Sequence, residues 1–457
     1  MSRWVRCAGA ELAALGIVWA AAAQAEPLTL ERAVELALRN NTQVMQAEAS
    51  VYDARGSLYR SYSGILPRFS AGLSRSVYGE KERTGSRAFA GFIVPGDRQD
   101  FQQYATSPSV SGTWSILNLS SISDWGSARH GVRAARFRRS ASRNDVVFDT
   151  KRKYYDVVKA VHLAHVAAEA LRLAHDDERR VRALFEVGSV SKSDVLKAQV
   201  RTAQGQLDSL TRRNAVTVQR IVLGNSVGVP ESQLGEVDTT LTASARDYEE
   251  GALLAEAEKA RPDLMASRAE LSAAKSGMRS AQFTRLPYLT VSGSAEFNPK
   301  STFETTTLDT SGVALPVPVV SSGRSELDRS YRAEIALNWD LFNGMANEAQ
   351  IAGARARLIR AQDAYDVLHR NLAADVQQAL LAYREAIESD QVAERAVESA
   401  TENVKLTQQK YNVGSATILE LIDAQVQLQR TQSDKVSALA AIRVAEAQIE
   451  RVRGRGE

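Results

Sequence analysis

Apolar and polar residues take alternate places from Tyr331 to Leu341: Tyr331, Ala333, Ile335, Leu337, Trp339 and Leu341, with Arg332, Glu334, Ala336, Asn338 and Asp340 between them. A period of two with one apolar side predicts a strand whose faces meet different surroundings. Leu289, Val291, Gly293, Ala295 and Phe297 supply a partner strand, and Pro299 marks its end. A weaker version occurs earlier, where Phe69, Ala71 and Leu73 begin one strand and Val110, Trp114 and Ile116 mark another, with Arg75 and Pro108 as interruptions. Strands are therefore predicted at about 68–78, 104–117, 288–297 and 331–342. The connections Gly79 to Gln103 and Asn298 to Ser330 are long and rich in Gly, Ser and charge, and they read as loops.

Elsewhere the spacing is helical. Val397, Val404, Tyr411 and Ile418 step by seven, as do Leu421 and Leu428, while Gln, Glu, Lys and Arg fill the places between. Such a seam predicts helix packed on helix, and abundant alanine permits close approach. None of the ten prolines falls between Pro108 and Pro230, and none follows Pro318. Two very long stretches can thus run as uninterrupted helix.

The chain repeats itself. Phe185-Glu-Val-Gly-Ser189 returns as Tyr411-Asn-Val-Gly-Ser415, and Ala198-Gln-Val200 as Ala424-Gln-Val426, both at an offset of 226. Leu66-Pro67 returns as Leu286-Pro287, and Trp114 as Trp339, with offsets that shift only across the loop-like segments. The reading is a first half at 26–229, a polar linker at 230–246 and a second half at 247–457. Each half runs helix, strand, loop, strand, long helices. Gly188 and Gly414 interrupt helical runs, so each marks a helix-hairpin tip where the chain reverses.

Composition adds compartment and removes candidates. Arg3 and Arg6, an apolar run from Leu12 to Ala23 and the small-residue site Ala23-Gln-Ala25 read as a signal peptide over 1–25. The only cysteine, Cys7, lies inside it and ahead of the apolar run, so neither a lipid-anchored cysteine nor a disulfide is expected. No other apolar run is long enough for a spanning helix, so membrane contact must come through strands. Four strands of about 9 to 11 residues each suit a bilayer, but four cannot close a barrel, and an open edge cannot sit in lipid. Several copies must share one barrel, unless the strands form two soluble hairpins on a helical protein. A net charge of +3 is too small for a general nucleic-acid binder.

The signal peptide, the duplicated halves with paired strands and the two tip motifs together resemble the TolC family of outer-membrane efflux and secretion channels. The motifs are Phe185-Glu-Val-Gly-Ser-Val-Ser-Lys-Ser-Asp194 and Tyr411-Asn-Val-Gly-Ser-Ala-Thr-Ile-Leu-Glu420, and the resemblance covers essentially the whole chain after residue 25. It implies a mainly helical fold with a β-barrel portion: a homotrimer in the outer membrane, four strands per chain, continuing into a periplasmic coiled-coil tunnel. The implied partners are a periplasmic membrane-fusion adaptor, an inner-membrane transporter of the RND, ABC or MFS type, and outer-membrane lipid. The implied function is an exit duct of a tripartite efflux pump or type I secretion system that itself uses no cofactor. A non-conducting structural or adhesive coiled-coil trimer is the alternative.

By the same resemblance, Val187, Gly188, Ser189, Val413, Gly414 and Ser415 contact the adaptor; as residues alone they read equally as ordinary helix turns. Glu420 and Asp423 lie three apart on one helix face. In a trimer they would make a six-carboxylate ring at the entrance that favours cations; alone they read as a solvated face. Asp194 and Tyr411 match an acid and a tyrosine that latch neighbouring helix pairs, although Tyr411 also lies on the apolar seam. Ala416 replaces an arginine that makes a second link in the best-known members, while Ser193 keeps that link's hydroxyl.

Enzymatic chemistry finds no foothold. There is no phosphate-cradling glycine loop ending in Lys-Ser or Lys-Thr and no His-Glu-x-x-His. His162, His165 and Glu169 share a helical spacing that could hold a metal, but a metal-free surface pair is the simpler reading. The basic group Arg133, Arg136, Arg138, Arg139 and Arg143 reads as a solvated helix face near the inner leaflet.

Overall fold

The computed structural model describes residues 28–83, 87–89, 92–94, 98–242, 246–298, 300–309, 317–325 and 328–454. The signal-peptide segment lies outside them. The elements are α1 (Leu30–Asn40), α2 (Thr42–Tyr62), β1 (Arg68–Arg83), β2 (Arg87–Phe89), β3 (Phe92–Val94), β4 (Arg98–Ile116), α3 (Leu119–Glu186) and α4 (Lys192–Val227), then α5 (Glu250–Ala260), α6 (Pro262–Phe283), β5 (Tyr288–Asn298), β6 (Lys300–Asp309), β7 (Val317–Ser325), β8 (Asp328–Asn338), α7 (Ala346–Asn412) and α8 (Ile418–Arg453). The order of two short helices, strands and two long helices thus runs twice. The long helices match in size, 68 and 67 residues for α3 and α7 and 36 each for α4 and α8. The chain divides into two compact units, one of residues 1–46, 141–261 and 372–457, the other of residues 47–140 and 262–371.

The second unit carries an antiparallel sheet. β4 pairs β1 on one side and β5 and β6 on the other, while β8 pairs β5 and β7 pairs β6. In effect four long strands lie in order, with β1 at one edge and β7 and β8 at the other. The register puts Phe69, Gly112, Gly293 and Ala333 in one row, and Ala71, Val110, Ala295 and Tyr331 in another. The intervening row is Ser70, Ser111, Ser294 and Arg332. One face is therefore apolar across all four strands, and the other is polar. Phe69 is 78% and Ile335 71% exposed, so none of the described residues covers the apolar face there.

Three details differ from the sequence reading. β4 runs through Pro108, at the place where its register against β6 is shifted by one residue from its register against β5. Proline removes one ladder donor, and such a shift is where the loss is tolerated. β1 and β4 extend into the segment read as a loop, pairing out to Arg83 and Arg98, with the β2–β3 hairpin between them; β6 and β7 likewise pair within the second connection. Backbone pairing needs no apolar side chains, so polarity there did not mean loop. Conversely, β8 ends at Asn338, and Trp339 lies beyond it. Its indole N–H donates to the Arg285 carbonyl at 3.1 Å, as that of Trp114 donates to Ile65 at 2.8 Å. Both tie a strand end to the turn that precedes its partner strand.

In the first unit the buried seam of α3 is Ala160, Ala167, Ala174 and Val181, and that of α7 is Ala386, Ala393 and Ala400, each in steps of seven. Alanine holds these positions because it allows close helix approach, and Val397 and Val404 are only half-buried. The step from Tyr411 to Ile418 crosses a turn between two helices instead of continuing one. The linker is docked rather than free. Leu28 bridges to Val237, the Tyr154 hydroxyl donates to the carbonyls of Leu28 (3.1 Å) and Asp238 (3.0 Å), and the Tyr383 hydroxyl accepts from the Arg246 N–H (2.8 Å). Tyr154, Val157, Val158, Leu223, Val227 and Val237 form the core beneath it.

Candidate functional site

Each tip is built by the same local chemistry. α3 ends at Glu186; Gly188 then adopts φ +77°, and its N–H bonds to Phe185 O at 2.9 Å while Ser189 N–H bonds to Leu184 O at 2.9 Å. In the second half, Gly414 takes φ +74°, with Gly414 N–H to Tyr411 O at 3.1 Å and Ser415 N–H to Lys410 O at 2.9 Å. These bonds satisfy the last carbonyls of each incoming helix, and the left-handed backbone is what selects glycine. The outgoing helices are capped alike. Ser191 accepts from Asp194 N–H, and Thr417 from Glu420 N–H. Val187 and Val413 stand 74% and 80% exposed at the two turns.

Below the turns, Val181, Ala198, Ile418 and Leu421 are buried together, with Val190, Val195, Tyr411 and Ile422 packed around them. This cluster joins the first helical hairpin to the second. A shallow groove beside it joins apolar Leu196, Val200, Leu419 and Ile422 with polar Ser193, Lys197, Arg201 and Gln204. Glu420 and Asp423 are both exposed on the first turns of α8.

The acid and tyrosine matched to a latch are not bonded to each other. Asp194 accepts from the Ser191 hydroxyl at 2.7 Å and pairs with Lys197 at 3.3 Å, completing the cap of its own helix. The Ser191 hydrogen bond holds its carboxyl below the ordinary range. The Tyr411 hydroxyl is buried and has no hydrogen-bond partner among the described residues. Burial pushes it up, and the nearby carboxylates of Asp177 and Asp194 add to the shift.

Sequence reading missed the polar layer beside this cluster. Asp177 on α3 is only 7% exposed and accepts from the Gln425 side-chain amide on α8 at 2.7 Å. Burial raises its pKa, opposed by the Gln425 bond and by Arg180, 3.4 Å away. One turn further along α8, the Gln429 amide donates to Asp208 at 2.8 Å and its oxygen accepts from Arg201 at 2.9 Å. The repeated Ala-Gln-Val segment was the available signal, since Gln425 is its second residue.

Some of the other sequence candidates have partners within the chain. The His162 ring nitrogen pairs with the Thr239 carbonyl at 2.8 Å. No group of three or more His, Cys, Asp or Glu is arranged for a metal among the described residues. In the basic group, Arg138 pairs with Glu270 at 2.7 Å and Arg139 with Glu48 at 3.8 Å.

Residues 33–229 and 253–455 match the profile of a family described as outer membrane efflux protein, one match in each half. The chain belongs to that family. Among curated relatives, the outer membrane protein TolC of Escherichia coli strain K12 is 24% identical over 349 residues, covering 75% of this chain and 68% of its own. The pyoverdine export outer membrane protein OpmQ of Pseudomonas putida is 24% identical over 432 residues, covering 91% and 83%. Among solved structures, the CmeC outer membrane channel of Campylobacter jejuni superposes with a TM-score of 0.76 at 15% identity, covering 93% of this chain and 86% of that one. Like the rest of its family, the protein resides in the outer membrane. No helix among the described residues is long and apolar enough to cross a membrane.

Proposed function

We propose that the protein is the outer-membrane exit duct of a tripartite efflux pump or type I secretion system. It passively conducts substrate delivered by an inner-membrane transporter through a periplasmic adaptor. The observation that carries this reading is the sheet in which β1, β4, β5–β6 and β7–β8 lie in order, apolar on one face over β1, β4, β5 and β8, polar on the other and open at both edges among the described residues. A bilayer demands an apolar outer face, and closure demands that β1 of one copy pair with the β7–β8 edge of the next. Three copies give twelve strands and a polar lumen, with Glu296, Arg332 and Glu334 among the inward residues. The helices carry the path through the periplasm.

The exposed Val187 and Val413, with the turn residues Gly188, Ser189, Gly414 and Ser415, are the adaptor's landing points, and the groove under them widens that surface. Glu420 and Asp423 from three copies form the acidic ring that favours cations at the entrance. Asp194 and Tyr411 act as the latch once Asp194 gives up its cap, the buried hydroxyl being the spare donor. Transport energy comes from the partners, and the channel does no covalent work.

Planar-bilayer recording of the purified protein tests the duct. Small cation-selective events, blocked by polyvalent cations from the periplasmic side, are the expected result. A verified, membrane-inserted trimer that never conducts, in wild type and in Tyr411→Phe alike, would leave a structural coiled-coil protein instead. Replacing Glu420 and Asp423 together by Ala should weaken the block; undiminished block would place those carboxylates away from the lumen. Tyr411→Phe or Asp194→Asn should each raise resting conductance, and no change in either would remove the latch.

A further inference from the structure

Two glutamines of α8, one helical turn apart, reach from the second hairpin to carboxylates of the first. Gln425 donates to Asp177 and Gln429 to Asp208, and Gln429 also accepts from Arg201. Asp208 is held in turn by Arg212 at 3.3 Å. Asp177 lies one turn from Val181 on α3, and Gln425 one turn from Leu421 on α8, so the first rung sits directly beside the apolar cluster beneath the tips. Gln425 and Asp177 are both buried, where a hydrogen bond to a charged partner is strong and an unpaired carboxylate is costly. Hydrogen bonds are directional, so the rungs add a register constraint to the packing of the apolar cluster.

We propose that Gln425 and Gln429 are positioning residues of the entrance, forming with Asp177 and Asp208 a two-rung clasp that sets the separation of the two hairpin tips. The geometry of the clasp stands on its own, and its consequence for conduction rests on the exit-duct reading. The rungs lie within one chain and are distinct from the Asp194–Tyr411 pair, so opening the entrance requires the clasp to yield.

The test exchanges the two groups. Gln425→Glu sets two buried carboxylates against each other, and Asp177→Asn in that background restores an amide–carboxylate pair of the same length with its polarity reversed. Two readouts are taken on the full-length protein in its assembled form. The first is the distance distribution between spin labels on cysteines at 189 and 415. It should broaden in Gln425→Glu and narrow again in the double variant. The second is resting conductance, which should rise about tenfold in Gln425→Glu, the ratio that ~1.4 kcal/mol corresponds to, and return in the double variant. Gln429→Leu, which cuts the other rung without adding a charge, should shift both readouts in the same direction and covers the case in which Gln425→Glu does not assemble.

Tip distances unchanged in both single variants, or a double variant no closer to wild type than Gln425→Glu, would overturn the clasp. A protein that never conducts, in wild type and in Tyr411→Phe alike, while tip distances respond as expected would sink the duct reading and leave the clasp in place.

Discussion

A methyl group at position 454 would lie 2.7 Å from the Ala260 carbonyl oxygen, on a backbone already at φ +77°. At Gly414 the backbone strain is the same kind, φ +74°, but a methyl there meets nothing within 4 Å. Gly414→Ala should therefore cost only the left-handed penalty, about 1–2 kcal/mol, and Gly454→Ala clearly more. Denaturant unfolding of the two variants side by side checks the order, and equal costs would mean the neighbour at Ala260 simply moves away. Asp194 carries a pH dependence of definite sign. Its folded carboxyl is held down by Ser191, so its contribution is present above the ordinary aspartate range and is lost as pH falls through the lowered value. The thermal midpoint of wild type should exceed that of Asp194→Asn at neutral pH, and the gap should close on strong acidification. The residue scale was legible in sequence wherever one backbone angle decides, as at Gly188 and Gly414. It was illegible at Asp177, which sits in the charged run Asp176 to Arg180 and reads as solvated. Nothing local says that this one carboxylate turns inward to meet Gln425.

Among the elements, the sheet gives the sharpest expectation. Ile335 lies on the apolar face and its neighbour Glu334 on the polar one, so the same lysine should be tolerated at 334 and harmful at 335. On the proposed reading Ile335→Lys costs about 2–4 kcal/mol near the bilayer midplane. The fraction of protein recovered as heat-resistant trimer from outer membranes reads this, and equal recovery of both variants would mean the apolar face does not meet lipid. Trp114→Phe and Trp339→Phe each remove one indole-to-carbonyl bond, with an expected loss of about 1 kcal/mol apiece in unfolding experiments. Strand sidedness was readable from the period of two, because alternate side chains must face opposite ways. Strand length was not, because ladder bonds between β1 and β4 continue past the last apolar residue. The helix seam was readable as a seven-residue step. The abundance of alanine at the seam was readable too, but not that Ala386, Ala393 and Ala400 would be buried while Val397 and Val404 stay half-buried.

At the scale of the whole molecule, the proposed reading has the open edges of the sheet pair with those of neighbouring copies. A cysteine near the middle of β1 and another in β8 should cross-link between copies, with a ladder ending at three, on gels run without reductant. Cross-links confined to dimers would contradict the shared barrel.

The sequence by itself determined the duplication, the two tips, the sidedness of the strands and the room for helices of 68 and 67 residues. All of these follow from local rules: side-chain period, the backbone angle that only glycine takes freely, and the absence of proline. Only the tertiary structure decided that Gln425 meets Asp177 across 248 positions, that the linker is clamped by Tyr154 and Tyr383, and that Asp194 spends its carboxylate on its own helix cap. Such pairings depend on which helix faces are pressed together, and burial of a polar group is settled by its distant neighbours, which no local pattern records.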